Sequence, residues 1–328
     1  MALRRGCRRS RAALAEFFRD DQVRVGRVRT FSVPATPTMH PGNKRRAATL
    51  MDLFPRAFLL VFQQLAVGGF LSLSIPPFHQ VSRGYYKSTA CIYLLSAVLA
   101  LAGRLALWWH AGPNHASASA SDLLHLGVWA AFVAVAGAYV ATLWGDRYVL
   151  RARLFAGTWS LGLLGLILAA ASYVRADGLS VEGVVYPATF ILSALLLGTV
   201  SAGMLLGHWY LIDRDLPLAP FQRLLAFYVG CLETQGIVFV VATGLLFFAG
   251  SAATAAGIAE LLNQYPLVVL ARCLVSPIGA GVLGFMIGRT LQIPQTMAAT
   301  GLFYIAILAV LVGELMGRYL LFRTGIPI

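Results

Sequence analysis

Apolar runs of 20 or more residues recur from about residue 54 to the end of the chain, and they limit its fold more than any other feature. A helix of about 20 apolar residues spans the hydrocarbon core of a bilayer, whereas outer-membrane strands would alternate polar and apolar residues. The chain is 59% hydrophobic and 12% charged, which is too little charge for the surface of a soluble domain. The sequence therefore predicts an all-α, polytopic integral membrane protein.

We predict about eight transmembrane helices, which we expect to form two four-helix bundles. Their approximate ranges are 54–76, 88–109, 122–144, 153–174, 186–211, 221–249, 266–288 and 297–322. In the seventh of these, Pro277 is the one clear helix breaker away from the helix ends.

Residues 1–50 differ in composition from the membrane domain that we assign to residues 51–328. They contain 12 Lys/Arg and 3 Asp/Glu, and so hold +9 of the net charge of +13. They are interpretable as a disordered basic tail at a lipid surface, as a targeting segment, or as the product of a mis-assigned start upstream of Met51; we favour the last. No RNA-binding motif accompanies the basic residues, so no nucleic-acid partner is expected.

The Lys/Arg content of the short loops predicts an orientation. Loops after the first, third, fifth and seventh helices contain eight Lys/Arg, and those after the second, fourth and sixth contain only Arg175. Positive loops stay in the cytoplasm, so a multi-pass protein with both termini outside the cytoplasm is expected if the chain starts near Met51. A basic tail of 12 Lys/Arg would oppose this orientation.

The last predicted helix contains two charged residues, Glu314 and Arg318. Each charge costs roughly 2.5–3.5 kcal/mol at the centre of a membrane helix. Their i, i+4 spacing puts them on one helix face in the favourable order for an ion pair. Two interpretations remain open, a structural ion pair and a polar functional site within the membrane.

Other ionisable residues fall in the same, extracytoplasmic half of the predicted bundle. Arg104, Asp122 and Arg272 lie near helix ends on that side, and Glu233 lies near the bilayer midplane. No basic residue lies within a helical turn of Glu233, so this side chain must be protonated, paired with another helix, or hydrated. It is therefore a candidate proton carrier together with Glu314 and Arg318.

The cysteine and histidine patterns disfavour redox centres within the chain. The four cysteines form no C-x-x-C motif, so neither an iron–sulfur cluster nor a covalently attached haem is expected. His125 and His208 are predicted on opposite sides of the membrane, which disfavours an axial pair for a b-type haem. A histidine on an apolar helix is more often a hydrogen-bonded packing residue than a ligand, so we favour a packing role for His125. We also expect no metal site.

Five short motifs occur along the membrane domain. They are Q-x-x-x-G-G-F at residues 64–70, H-x-G-P at residues 110–113, L-L-G at residues 205–207, Arg272 early in the seventh helix, and G-E-L-x-G-R at residues 313–318. In this order they resemble the eight-helix membrane anchor subunits of molybdenum oxidoreductases, the dimethyl sulfoxide reductase and polysulfide reductase (NrfD-like) anchor families.

The resemblance implies a subunit of the bacterial cytoplasmic membrane that binds menaquinol or ubiquinol and passes electrons to an iron–sulfur subunit, alongside a molybdenum catalytic subunit. It implies a quinol site at His110 and an acidic residue that corresponds to Asp122, although the intervening loop is shorter than in the sulfoxide reductase anchors. The His208-Trp209-Tyr210 sequence departs from the family pattern.

Quinol oxidation releases two protons and two electrons, and histidine or carboxylate groups serve as proton acceptors. Arg104 or Arg272 would hold a quinone oxygen by a charge-assisted hydrogen bond. We therefore expect a quinol-oxidising or non-catalytic subunit of an oxidoreductase, and we expect His110→Ala to lower quinol oxidation. The alternatives are a transporter or proton pathway that uses the intramembrane Glu and Arg residues, and a structural membrane subunit.

Overall fold

The computed structural model describes residues 41–110, 120–175, 180–213, 215–293 and 295–328, with side chains from residue 53 onward. In these ranges the ordered elements are all helices, and eight helical spans are long and apolar enough to cross a membrane. The prediction of an all-α, polytopic membrane protein is confirmed. Residues 50–328 form one compact unit. The interpretations of residues 1–50 fall almost entirely outside the described residues.

The first six spans are single helices, the seventh is interrupted by a π-helical segment, and the eighth is again a single helix. In chain order the elements are α1 (Pro41–Ser72), α2 (Arg83–His110), α3 (Ala120–Thr142), α4 (Tyr148–Ala171), α5 (Val181–Ile212), α6 (Ala219–Ala249), α7 (Ala252–Gln264), α8 (Pro266–Cys273), the π-helical segment (Leu274–Ala280), α9 (Gly281–Gln292) and α10 (Thr296–Thr324).

Several helices begin earlier than the apolar pattern predicts. The additional turns include charged residues such as Arg83 and Lys87 in α2. A helix can continue past the apolar core into the headgroup region, where charges are solvated. The short helix α7 was not predicted. Its N-terminus is capped by Ser251, whose hydroxyl accepts a hydrogen bond from the Thr254 backbone N–H.

The spans form two groups of four. Helix α3 packs against α2 and α4, and α1 contacts all three of these helices. Helix α5 packs against α6 and α10, and both of these pack against the seventh span. The groups meet where Gly68 of α1 crosses Gly198 of α5, at a separation that leaves no room for a Cβ atom on either residue. Small residues at such crossings allow close backbone approach, which is a main source of helix association in membranes.

Successive spans run in opposite directions, so the bundle has two ends. At one end of the bundle α3, α5 and α8 begin and α2, α4, α6 and α10 stop, and we call this the Asp122 end. We call the opposite end the Asp146 end. At the Asp122 end, α10 stops at Gly325, whose φ of 74° is in the left-handed region that favours glycine. Residues 325–328 then turn back and are buried.

Candidate functional site

A cavity of about 460 Å³ opens at the Asp122 end, and we call it the α1–α4 cavity. Its walls come from those four helices, the turn after α4, and Phe322 of α10. This volume falls within the roughly 300–1,000 Å³ typical of small-molecule sites. One part of the wall is apolar, with Leu59, Leu107 and Leu168. The other part is polar and is formed by Arg56, Gln63, Arg104, Asp122, His125 and Tyr173.

The polar wall combines opposite charges with a neutral phenol. Arg104 lies within electrostatic range of both Asp122 and Tyr173. Burial raises the pKa of Tyr173 above its ordinary value, so its hydroxyl stays protonated and can donate a hydrogen bond. Asp122 is exposed at the start of α3. The cavity therefore offers a cation, a phenol donor and a solvent-accessible carboxylate to one ligand.

Gln63 and His125 form the inner part of the polar wall. The Gln63 Nε2 and His125 Nε2 atoms are 3.2 Å apart in a hydrogen bond between α1 and α3. Both side chains are buried, with 1% and 6% of their surface exposed. The sequence favoured a packing role for His125, but the structure puts this ring in the cavity wall as well.

The residues assigned to a quinol site do not all lie together. Arg104 and Asp122 line the α1–α4 cavity. His110 is exposed at the end of α2 and does not line it, and Arg272 lies in the other group of helices. Residues 112 and 113 of the H-x-G-P motif fall outside the described residues, so the geometry of the full motif is not described.

Arg272 belongs to a buried ionic cluster centred on Glu314, which we call the Glu314 network. Glu314 Oε2 accepts a hydrogen bond from Arg318 Nη2 at 3.0 Å, and Glu314 Oε1 lies 3.6 Å from Arg272 Nη2. Gln235 Nε2 donates to Glu314 Oε1 at 2.7 Å. The i, i+4 pair expected from the sequence is therefore present, with two further partners from other helices.

The network is closed to solvent. Glu314, Arg318 and Arg272 are 0%, 1% and 6% exposed. Arg272 Nη1 also donates to the Gly313 carbonyl at 2.5 Å. A buried ion pair repays its desolvation only with good geometry and additional hydrogen bonds. The Glu314 carboxylate accepts hydrogen bonds from Arg318 and Gln235, whereas the buried Nε and Nη1 atoms of Arg318 have no hydrogen-bond partner among the described residues. The network thus connects α6, α8 and α10 inside the bundle.

Two residues of α5 complete the network, and sequence reasoning missed both. Ser193 Oγ accepts hydrogen bonds from Arg318 Nη2 at 2.5 Å and from Gln235 Nε2 at 3.3 Å. The Arg318 guanidinium also lies over the Phe190 ring, with its carbon 4.9 Å from the ring centroid. Serine and phenylalanine are common in apolar helices, so no pattern in α5 marks these positions.

A second buried carboxylate, Glu182, was also missed. It accepts hydrogen bonds from the backbone N–H groups of Arg175 and Ser251, at 2.9 and 2.8 Å, and from the Thr254 hydroxyl at 2.6 Å. Glu182 is fully buried. Its contacts join the start of α5 to the start of α7, so we assign it a structural role at the Asp122 end. Its only sequence signal is an acidic residue in the first turn of a helix.

Glu233 lies apart from both regions. It is exposed on α6 and lines an open groove between α6 and α9. Within the described part of the chain, no residue forms a hydrogen bond or ion pair with its side chain. Of the three possibilities open from the sequence, pairing with another helix of the described bundle is thus not observed.

The histidine and acidic side chains form no metal-binding group in the described ranges, where no three His, Cys, Asp or Glu residues come together. His125 and His208 lie at opposite ends of the bundle. His208 Nδ1 makes a 3.3 Å hydrogen bond with the Tyr304 hydroxyl instead.

The fold thus defines a polytopic α-helical membrane protein, and its described part contains an open cavity with a polar wall and a closed ionic network. No protein-family model, curated protein or solved structure matches the chain.

Proposed function

We propose that this protein is the membrane subunit of a respiratory oxidoreductase of the bacterial cytoplasmic membrane. In this proposal a menaquinol or ubiquinol binds in the α1–α4 cavity, and its electrons pass to an iron–sulfur partner subunit, with a molybdenum catalytic subunit beyond it. The Asp122 end then faces away from the cytoplasm, as the distribution of Lys/Arg in the loops predicts.

The observation that supports this proposal best is the convergence of Gln63, Arg104, Asp122 and His125 on one cavity with an apolar wall. A quinol has two hydroxyl groups on an apolar ring and carries an isoprenoid tail. The polar wall supplies hydrogen-bond partners for an oxygen, and the leucine side chains and Phe322 supply apolar contact for the ring.

Oxidation of the quinol releases two protons and two electrons, so the site needs a group that accepts protons and passes them to water. Asp122 is the proton acceptor that we assign on the cavity wall, because His125 Nε2 already accepts a hydrogen bond from the Gln63 amide. Asp122 is exposed, so it can exchange a proton with water at this end. The Arg104 guanidinium would hold the oxygen that becomes a carbonyl, since a cation stabilises the negative charge that develops on that oxygen.

The test is the binding of a hydroxyquinoline N-oxide, a fluorescent quinol analogue, to the full chain in lipid nanodiscs. We expect Arg104→Gln to weaken binding by about tenfold to a hundredfold, because a charge-assisted hydrogen bond contributes about 1.5–3 kcal/mol. Arg289→Gln is the matched control, since Arg289 is exposed near the Asp146 end. Equal affinity in wild type and Arg104→Gln would reject the cavity as the quinol site.

The location of Glu233 favours a second candidate function, a proton or ion pathway. A carboxyl group at mid-helix on the outer face of α6 is costly and calls for a function. In this case Glu233→Gln abolishes proton movement in liposomes that contain the protein, whereas an unchanged proton flux excludes it.

A further inference from the structure

An open groove runs along α6 and α9 on the outer surface of the bundle, and we call it the α6–α9 groove. Its volume is about 630 Å³. Its wall begins at Gln222 and Gln292 near the Asp146 end, and it reaches Gly236 and Pro277 in the middle of the two spans. The helical rise from Gln222 to Gly236 amounts to about 20 Å, so the groove is long enough to hold about four turns of another helix.

The groove is lined by glycines that the packing of this chain does not require. A Cβ atom added at Gly281 or Gly288 meets only a leucine methyl group, at 3.7 Å in each case, and one added at Gly236 meets no atom within 4 Å. By contrast, Gly68 and Gly198 have no room for a Cβ atom, because α1 and α5 cross there. Small residues on a membrane helix let a neighbouring backbone approach closely, so the glycines of the groove favour contact with a helix outside this chain.

Glu233 lies beside these glycines at the middle of α6, on the exposed side of the helix. A carboxylate at this depth is costly unless it is paired with a cation or hydrated. Arg289 also lines the groove, but it belongs to the last turn of α9 at the Asp146 end. Among the residues that the structure describes, the exposed Lys and Arg side chains lie near the helix ends, so a second copy of this bundle would bring no cation to Glu233. Charge complementarity therefore favours a different membrane protein as the partner.

We propose that the α6–α9 groove binds a transmembrane helix of another protein, which carries a lysine or arginine at its middle, opposite Glu233, and small residues on the same face. The glycines admit the backbone of that helix, and the ion pair sets its depth. The groove and the α1–α4 cavity are in different groups of helices, so this interaction does not depend on quinol binding. An ion-paired carboxylate does not exchange protons, so the partner helix and the proton pathway are alternative roles for Glu233.

The probe is a synthetic transmembrane peptide of about 22 residues, built from leucine and alanine, with glycines on one face and a single lysine at its centre. A photoreactive leucine beside the lysine reports which residues the peptide contacts. Binding of the fluorescent peptide to the full chain in lipid nanodiscs is measured by energy transfer, and the cross-linked residues are identified by mass spectrometry. The matched control peptide has leucine in place of the lysine, so the protein itself is unchanged in this comparison.

We expect the lysine peptide to bind the wild type about tenfold more tightly than the leucine peptide and to cross-link to residues 229–236 and 281–288. Glu233→Gln should remove this preference, because an amide carries no charge. Glu233→Lys should bind a peptide with a central glutamate better than the lysine peptide. The proposal is overturned if the lysine and leucine peptides bind the wild type equally, or if the cross-links are no more frequent in the groove than at the lipid-facing Phe247 and Phe248.

A second pair of variants tests the shape of the groove. Gly236→Leu fills the space beside Glu233 and should weaken binding of the lysine peptide by about tenfold. Gly244→Leu is the matched control, because Gly244 is on the same helix, is equally open, and does not line the groove. Unchanged binding to Gly236→Leu would contradict the proposal.

Two further outcomes would assign the groove to another role and overturn the proposal. The first is cross-linking of the groove to a second copy of the chain in the absence of peptide, which indicates self-association. The second is a proton flux that depends on Glu233 and persists at saturating lysine peptide, which indicates the proton pathway. Affinity for the quinol analogue should be the same in all these variants, so failure of either proposal is distinguishable from failure of the other.

Discussion

The α1–α4 cavity and the Glu314 network are built from similar side chains but differ in packing. Each combines arginine, a carboxylate and glutamine in the same half of the bundle. In the network, the Glu314 carboxylate binds partners on three elements and is fully buried. In the cavity, Arg104 and Asp122 face open volume. A charged side chain inside the membrane therefore indicates either a structural connection or a ligand site. A charged group surrounded by protein partners favours the first role, and one that faces open volume favours the second.

The two regions are also in contact through one aromatic ring. Phe190 packs against Tyr173, which lines the cavity, with ring centroids 5.9 Å apart. The same ring stacks on Arg318 of the network. A perturbation of the network should therefore be transmitted to the cavity, and since energetic coupling between two sites is reciprocal, the reverse should also hold.

The largest expected effect comes from Glu314→Ala, which leaves two buried guanidinium groups without their carboxylate. Removing one partner of a buried ion pair typically costs about 3–5 kcal/mol. We expect a clear loss of thermal stability, measured by tryptophan fluorescence in nanodiscs. Glu233→Ala is the control, since it removes the same side chain from the exposed face of α6. If both variants lose the same stability, the closed network is not a structural connection.

A smaller loss is expected when the two groups of helices are forced apart at their crossing. In Gly198→Ala the new methyl group meets the Gly68 backbone, and overpacking of this kind costs about 1–3 kcal/mol. Gly137→Ala adds the same methyl group where no atom lies within 4 Å, and it should be neutral or slightly stabilising. Thermal unfolding of the two variants in parallel tests the prediction, and a neutral Gly198→Ala would contradict the close crossing.

Within the cavity, Gln63→Leu should act on the ligand more than on the fold. His125 loses a buried hydrogen-bond partner, which costs about 1 kcal/mol of stability. Affinity for the quinol analogue should fall by about tenfold, because the polar wall also loses an amide. Fluorescence titration and thermal unfolding of the same sample separate these effects. A loss of stability with unchanged affinity would assign the Gln63–His125 pair to packing alone.

The smallest effect is expected from His110→Ala. His110 is exposed and lies outside the cavity wall, so the stability should change by no more than about 0.5 kcal/mol. Its effect on quinol turnover should be smaller than that of Arg104→Gln. If turnover falls as far in both variants, His110 contacts the ligand, as the resemblance to the anchor subunits implies, and the described cavity is only part of the site.

The accuracy of the sequence predictions varied with the kind of information they required. The eight spans followed from apolar length, and the i, i+4 spacing of Glu314 and Arg318 correctly predicted a shared helix face. The same reasoning grouped Arg272 with Arg104, because both lie at similar depth on the same side. The structure separates them into different groups of helices. Depth follows from position along a helix, but neighbours depend on the rotation and arrangement of all the helices.

The missed residues show the same limit. Ser193 and Gln235 are essential parts of the Glu314 network, yet each is an ordinary polar residue in an apolar helix. The assignment of His125 to packing was incomplete for a related reason. A sequence shows that a histidine lies on an apolar helix, but it does not show whether the space beside that ring is filled.

Hydrophobic length and the 1.5 Å rise per residue were sufficient to specify the number of spans and the position of each charge along its helix. The pairing of charges and the presence of open space depended on the folded arrangement. The physical reason is that lipid is as apolar as a leucine side chain. An apolar pattern alone therefore does not determine which face of a helix packs against other helices and which face contacts lipid. In this protein the close crossing of Gly68 and Gly198 and the buried contacts of Glu314 determine those faces, and both require residues distant in the chain.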